Sequence, residues 1–146
     1  MRVDFYQLEG VGGEASVLAA IAGKLLEKGD RLVVTSEDEA QLATLDRQLW
    51  REGRETFLAH GREGGADDTR QPILLSTRTL APNGARHIAL ADGKWRPAAI
   101  DFDRAFMLFG DASIDGARAA WKALGSADGV ERHYWAREDG RWTRKA

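Results

Sequence analysis

The sequence predicts a single α/β domain built on a mainly parallel sheet, and three observations support this. Strand-like and helix-like apolar segments alternate through the first half of the chain, which is typical of a parallel sheet with helices on both faces. The 146 residues suit one domain, and 43% hydrophobic content is ample for a core. A short aromatic strand pair around Asp139-Gly140 predicts a C-terminal β-hairpin. With no repeat and no internal boundary, residues 1–146 are interpreted as one domain.

The expected elements follow in a regular order. Val3–Leu8 is rich in aromatic and branched residues and predicts a strand, and EASVLAAIAGKLLEKG repeats its apolar residues at helical spacing up to Lys28-Gly29. RLVVT is a nearly continuous apolar strand of the type buried on both faces. Further strands are expected at Ile73–Thr77, His87–Ala91 and Asp101–Gly110, and a further helix in SIDGARAAWKALG. Residues 61–72 are polar and glycine-rich and predict the most mobile loop.

Acidic residues follow the RLVVT strand directly, in SEDEAQLATLDRQLW. Ser36 and Glu39 fit a capping box, and the acids of Glu37–Glu39 fall in the first helical turn, where the helix dipole favours anions. This explains the acids without any catalytic role. The buried stripe of this helix is expected to be Leu42, Leu45 and Leu49. Trp50 lies at the edge of that stripe, where it either closes the core or forms an exposed apolar patch for a partner.

The composition limits the function classes. Without cysteine there is neither a disulfide framework nor a thiolate metal site, and no apolar run approaches the ~20 residues that span a bilayer. We therefore expect a soluble, cytoplasmic protein without a membrane contact. The net charge is −2, but residues 118–146 carry seven basic and four acidic side chains and three of the five tryptophans. This basic aromatic end indicates either an anionic partner or a solvated amphipathic surface.

A small dinucleotide-binding protein or oxidoreductase is the alternative from a different class. Gly10–Ala15 (GVGGEA) fits a G-x-G-x-x-G/A fingerprint, and Glu37 has the spacing of a ribose-binding acid. Against it, Glu14 would place a carboxylate beside the pyrophosphate, and 146 residues leave little room for a substrate domain. There is no G-x-x-x-x-G-K-[ST] motif, and neither the three histidines nor the Asp101/Asp103 pair predicts a metal site. We expect no catalytic residues, cofactor or metal.

A binding site is better supported, in ARAAWKAL. Arg118, Trp121 and Lys122 stand at i, i+3 and i+4 and share one helical face. A guanidinium, a flat aromatic ring and an ammonium can together hold a terminal carboxylate while an apolar side chain lies against the ring. The alternative is that Trp121 is a core residue and the two cations are solvated, their stems covering it.

Several segments together resemble the chi subunit family of bacterial DNA polymerase III. They are VDFYQL, then RLVVTSEDEAQLATLDRQLW followed by TFLAH, and finally ARAAWKAL before the aromatic strand pair. The resemblance runs over nearly the whole chain, is most specific from Arg31 to His60 and is loose over Gly61–Gly110. It implies a three-layer α/β/α fold, Rossmann-like and similar to nucleotide-binding motor domains but without their phosphate loop. It also implies a non-catalytic accessory role in the clamp-loader complex of the replicase, with DNA contacted indirectly.

The resemblance further implies two partners. The first is single-stranded-DNA-binding protein, whose acidic C-terminal tail ends in an apolar residue and a free carboxylate. Arg118 would bind that carboxylate, Trp121 and Lys122 would flank the apolar pocket, and either Met107 or Phe109 would complete it. The second is the psi subunit, which occurs in some bacteria and would contact Trp50, Phe57 and Leu58.

Overall fold

The computed structural model describes residues 1–9, 13–52 and 58–146. The strands are β1 (Arg2–Gln7), β2 (Leu32–Thr35), β3 (His60–Arg62), β4 (Ile73–Ser76), β5 (His87–Leu90), β6 (Arg104–Phe109), β7 (Glu131–Glu138) and β8 (Arg141–Arg144). The helices are α1 (Glu14–Glu27), α2 (Glu39–Glu52) and α3 (Ile114–Leu124). Within the described residues the strands form one sheet in the order β3-β4-β2-β5-β6-β1-β7-β8. Neighbouring strands are parallel except for β7 and β8.

Two hydrophobic cores, one on each face of the sheet, make this a three-layer α/β/α fold. Residues of α1 and α2 pack with one set of sheet residues, and residues of α3 pack with the alternate set. In β2, for example, Val34 belongs to the first core and Val33 to the second, because successive strand residues point to opposite faces. The predicted fold class is confirmed, including the hairpin between β7 and β8.

Two predicted boundaries are wrong. The strand predicted from Asp101 begins at Arg104, because Pro97–Asp101 forms a 3₁₀ turn. The loop predicted at 61–72 contains part of β3, which pairs with β4, and a second 3₁₀ turn at Asp68–Arg70. The Asp68 carboxylate accepts hydrogen bonds from the backbone N–H groups of residues 64 and 65 at 2.9 and 3.1 Å and so closes the turn between them.

The start of α2 also differs from the predicted capping box. Asp38 is the capping residue: its carboxylate accepts the N–H of Ala40 at 2.9 Å, and its carbonyl accepts the first intrahelical bond. The Ser36 hydroxyl instead accepts the N–H of Asp38 at 3.1 Å, in a turn before the helix. The predicted stripe of Leu42, Leu45 and Leu49 is buried as expected.

The hairpin turn uses the left-handed region of backbone conformation. Asp139 and Gly140 have φ angles of 52° and 75°, as a two-residue type I′ turn requires. This turn gives the two strands their register, in which Arg137 faces Trp142.

Candidate functional site

Helix α3 presents a basic face because its small apolar residues point to the sheet. Ala117, Ala120 and Leu124 are buried in the core beneath the helix. The residues at the predicted site therefore lie on the outer side and at its edge: Arg118 and Lys122 are exposed, and Trp121 is half-buried. In the part of the chain that the structure describes, neither cation makes an ion pair within 4.0 Å. Both charges remain available to an anion.

The indole of Trp121 is fixed by an aromatic cluster beneath α3. The ring meets the rings of Phe5 and Tyr134 edge to face, with centroids 5.2 and 5.7 Å apart. Tyr134 in turn lies edge to face with Phe109, at 5.7 Å. Edge-to-face pairs of this kind hold rings in one orientation. The site on α3 therefore rests on a rigid base contributed by β1, β6 and β7.

Arg132 is a third cation at this site, and the sequence patterns did not predict it. Its guanidinium carbon lies 4.2 Å from the ring centroid of Trp121, and its Nη1 donates a hydrogen bond to the Trp121 carbonyl at 2.5 Å. The contact combines a cation–π interaction with a cation placed at the C-terminal end of a helix. It covers one face of the indole, so an apolar ligand group would meet the remaining exposed part of the ring.

The hydroxyl of Tyr134 is hydrogen-bonded to a residue of β1. Burial raises the pKa of the Tyr134 hydroxyl, and the positive charge of Arg118 acts in the opposite direction. The neutral hydroxyl donates a hydrogen bond to Gln7 Oε1 at 2.6 Å. This hydrogen bond fixes the Tyr134 side chain against β1.

The two candidate pocket residues on β6 lie below the surface. Met107 is 0% and Phe109 1% exposed. Phe109 contacts the ring of Tyr134, whereas Met107 is the register partner of Phe5 in the sheet. Both support the aromatic cluster from beneath, and of the two it is Phe109 that contacts a ring at the edge of the site.

The predicted psi-binding residues lie in different environments. Trp50 is 51% exposed on the last turn of α2, with its ring centroid 4.2 Å from that of His60. Leu58 is 3% exposed and belongs to the core under α1 and α2. Phe57 lies outside the described residues. Of the two described members of this set, Trp50 is the one that presents apolar surface.

The alternative sites are engaged in structural contacts. Residues 10–12 of the predicted dinucleotide loop lie outside the described residues, and Glu37, the proposed ribose ligand, pairs with Lys94 at 2.9 Å. Asp103 binds Arg86 through both carboxylate oxygens. In the described ranges no group of three or more His, Asp or Glu side chains is arranged to hold a metal ion. The helices of this part of the chain include none with the length and apolarity to cross a membrane.

The fold and the site define a class: a three-layer α/β domain with a cationic aromatic surface on its last helix. The sequence profile of the family described as "DNA polymerase III chi subunit, HolC" matches residues 1–131. The chain belongs to the DNA polymerase III chi subunit family. It is 30% identical over 87 residues to DNA polymerase III subunit chi of Escherichia coli (strain K12). That match covers 49% of this chain and 59% of the relative.

A solved structure supports the fold independently. The C-terminal domain of the DEAD-box protein Dbp5 is similar with a TM-score of 0.59, over 92% of this chain and 90% of that domain. At 17% identity this similarity concerns the fold alone.

Proposed function

We propose that this protein is a non-catalytic accessory subunit of a DNA polymerase III clamp-loader complex and that it binds the acidic C-terminal tail of single-stranded-DNA-binding protein. Family membership supports the replication role. The observation that carries the tail contact is the pair of exposed cations Arg118 and Lys122, which have no ion-pair partner among the described residues and lie on the same helix as the half-buried indole of Trp121.

The chemistry of the α3 site matches such a tail. A terminal carboxylate is a bidentate acceptor for the Arg118 guanidinium, and Lys122 adds a second charge for acidic residues upstream. The terminal apolar side chain would pack on the exposed part of Trp121, whose orientation Phe5 and Tyr134 fix. Because charge pairing contributes much of the affinity, binding should weaken with salt.

Titration of the intact protein with a fluorescein-labelled acidic peptide ending in Asp-Phe tests the proposal. Binding should be measurable at low salt and should weaken at least about tenfold in Arg118→Ala or when the peptide carboxylate is amidated, since a charge-assisted bidentate contact is lost. Arg141→Ala is the matched control, because Arg141 is an exposed arginine on β8, outside this site. No binding at low salt, or equal losses in both arginine variants, would refute the tail contact.

We further propose that Trp50 contributes to a second interface, for the psi subunit, where that subunit exists. Its exposed indole at the end of α2 supports this. In size-exclusion chromatography of a mixture with psi, Trp50→Ala should release psi while leaving tail-peptide binding unchanged. Retention of the complex by this variant would remove Trp50 from the interface.

A further inference from the structure

A groove lies on the face of the sheet opposite α3, between α1 and the C-terminal hairpin. Its volume is about 710 Å³. Its floor is aromatic and comes from four strands: Tyr6, Phe106, Trp135 and Trp142. One wall is formed by α1 and its C-terminal capping residue, which contribute side chains spaced by four residues: Ser16, Ala20, Lys24 and Lys28. None of these residues belongs to the proposed tail-binding site.

The floor presents three partly exposed rings on neighbouring strands. Tyr6 and Trp135 are register partners with nearly parallel rings, at 6.1 Å and 11°. Trp142 stands at 88° to Tyr6, with 5.2 Å between the centroids. The two indoles and the phenol are half-buried, so each ring is anchored in the sheet and still offers surface to the groove.

The polar atoms of the floor are held by the buried carboxylate of Asp4. It accepts the indole N–H of Trp135 at 2.9 Å and the Nε–H of Arg104 at 2.7 Å. A second arginine, Arg2, binds the same carboxylate at 2.9 Å. The orientation of Trp135 is therefore fixed by a hydrogen bond as well as by ring packing.

The charges around the groove are mostly positive. Among the described residues that line it, four are cationic, Lys24, Lys28, Arg104 and Arg137, and one is acidic, Glu9. Arg104 pairs with Asp4, a carboxylate that it shares with Arg2. Across residues 1–9, 13–52 and 58–146, the other three cations make no ion pair within 4.0 Å. Arg137 lies over the Trp142 ring at 5.3 Å.

We propose that this groove binds single-stranded DNA. Aromatic rings on a sheet face, flanked by cations, form the chemistry that accepts unpaired bases by stacking and the backbone phosphates by charge. Lys24 on α1 and Lys28, which caps the C-terminal end of α1, lie about 6 Å apart along the helix axis and provide a row of positive charge beside the rings. A duplex is excluded as the ligand, because its bases are stacked on each other and do not reach rings on the floor of a concave groove. The preference for DNA over RNA rests on the proposed replication role, since the groove chemistry suits both.

Fluorescence anisotropy of the intact protein with a labelled oligothymidine about ten nucleotides long tests this proposal. Binding should be measurable at low salt and fall as salt is added, because neutralised phosphates release counterions. Trp142→Ala should weaken binding at least about fivefold through lost stacking. The double variant Lys24→Ala with Lys28→Ala should weaken it and also reduce the salt dependence.

Matched controls are available outside the groove. Trp50→Ala removes an exposed indole on α2, and Lys122→Ala removes an exposed lysine on the opposite face of the molecule. Both should bind the oligonucleotide as the unmodified protein does. Circular dichroism verifies that each variant is folded. Because Lys24 on α1 and Lys28 at the end of that helix are exposed, their removal tests the groove without a change in the core.

The outcomes separate this proposal from the tail-binding one. Loss of oligonucleotide binding in Trp142→Ala with normal binding of the acidic peptide supports the groove. Absence of oligonucleotide binding at low salt overturns it, whatever the peptide does, and equal losses in Lys122→Ala overturn it as well. Tighter binding of oligouridine than of oligothymidine overturns the assignment to DNA. If the oligonucleotide binds and the acidic peptide does not, only the tail contact is refuted.

Discussion

Replacing Asp4 by asparagine should destabilise the protein substantially, because Asp4 is a fully buried carboxylate that joins three strands. Its side chain is 0% exposed, and it accepts hydrogen bonds from Arg2, Arg104 and Trp135. An asparagine keeps one acceptor oxygen but turns an NH₂ donor toward one of these donors. The single negative charge that the two arginines share is also lost.

The expected loss of unfolding free energy depends on the solvent exposure of the two arginines that pair with Asp4. Removing one partner of a fully buried ion pair costs about 3–5 kcal/mol. Arg2 and Arg104 are 34% and 31% exposed and regain part of their solvation, so we expect the lower end, about 3 kcal/mol. For a domain of this size that corresponds to a fall in Tm of roughly 6–12 °C.

Thermal and urea unfolding followed by circular dichroism measure this change, with Asp103→Asn as the control. Asp103 also pairs with an arginine, Arg86, but these side chains are 50% and 75% exposed, and no change in Tm beyond error is expected. A fall in Tm of less than about 2 °C in Asp4→Asn would show that the buried network contributes little.

The contribution of Asp4 to the free energy of unfolding should also depend on pH. Burial by itself would raise the pKa of Asp4, but hydrogen bonds from Trp135, Arg2 and Arg104 outweigh it and lower the pKa below 3.8. The folded protein therefore binds this proton less readily than the unfolded chain does. The contribution of Asp4 is complete above about pH 4 and is lost as the pH falls through the lowered pKa. The difference in unfolding free energy between the unmodified protein and Asp4→Asn should shrink over that acidic range.

Three further predictions concern other parts of the fold. Leu49→Ala should lower the unfolding free energy by about 2–5 kcal/mol in urea titrations, because Leu49 is 1% exposed in the core under α2; a loss comparable to that of a surface substitution would contradict this. Gly140→Ala should lower it by about 1–2 kcal/mol, since φ is 75° there; an unchanged Tm would show that the turn relaxes. Asp92→Ala should speed hydrogen exchange at the amide of Glu37, which donates to Asp92 at 2.9 Å; unchanged exchange would show that this bond is dispensable.

The elements that could be predicted from the sequence are those with a continuous run of apolar residues or with apolar residues at helical spacing. β2 and β4 are buried at every position, and α2 buries the leucines expected from helical spacing. β3 was missed because His60-Gly61-Arg62 has no apolar alternation and becomes a strand only by pairing with β4. The order of the strands in the sheet could not be predicted from local sequence patterns either, because it depends on which segments meet in three dimensions.

The part of the candidate site that lies on α3 could be predicted from the sequence. The part contributed by the sheet could not. Arg118, Trp121 and Lys122 share a face by helical geometry alone. Arg132 and Tyr134 come to the same site through the register of β7 beside β1, which no local pattern reveals. The aromatic groove was missed for the same reason, since its rings come from four strands.

The position of β1 in the sheet has a consequence for how the chain is made. This strand lies between β6 and β7, so a segment that leaves the ribosome early must wait for residues 104–109 and 131–138 before both of its edges are paired. Closing such long loops is entropically unfavourable, and domains with many distant contacts fold slowly. Until then the nascent chain carries an apolar strand with open edges, the kind of intermediate that chaperones protect from aggregation.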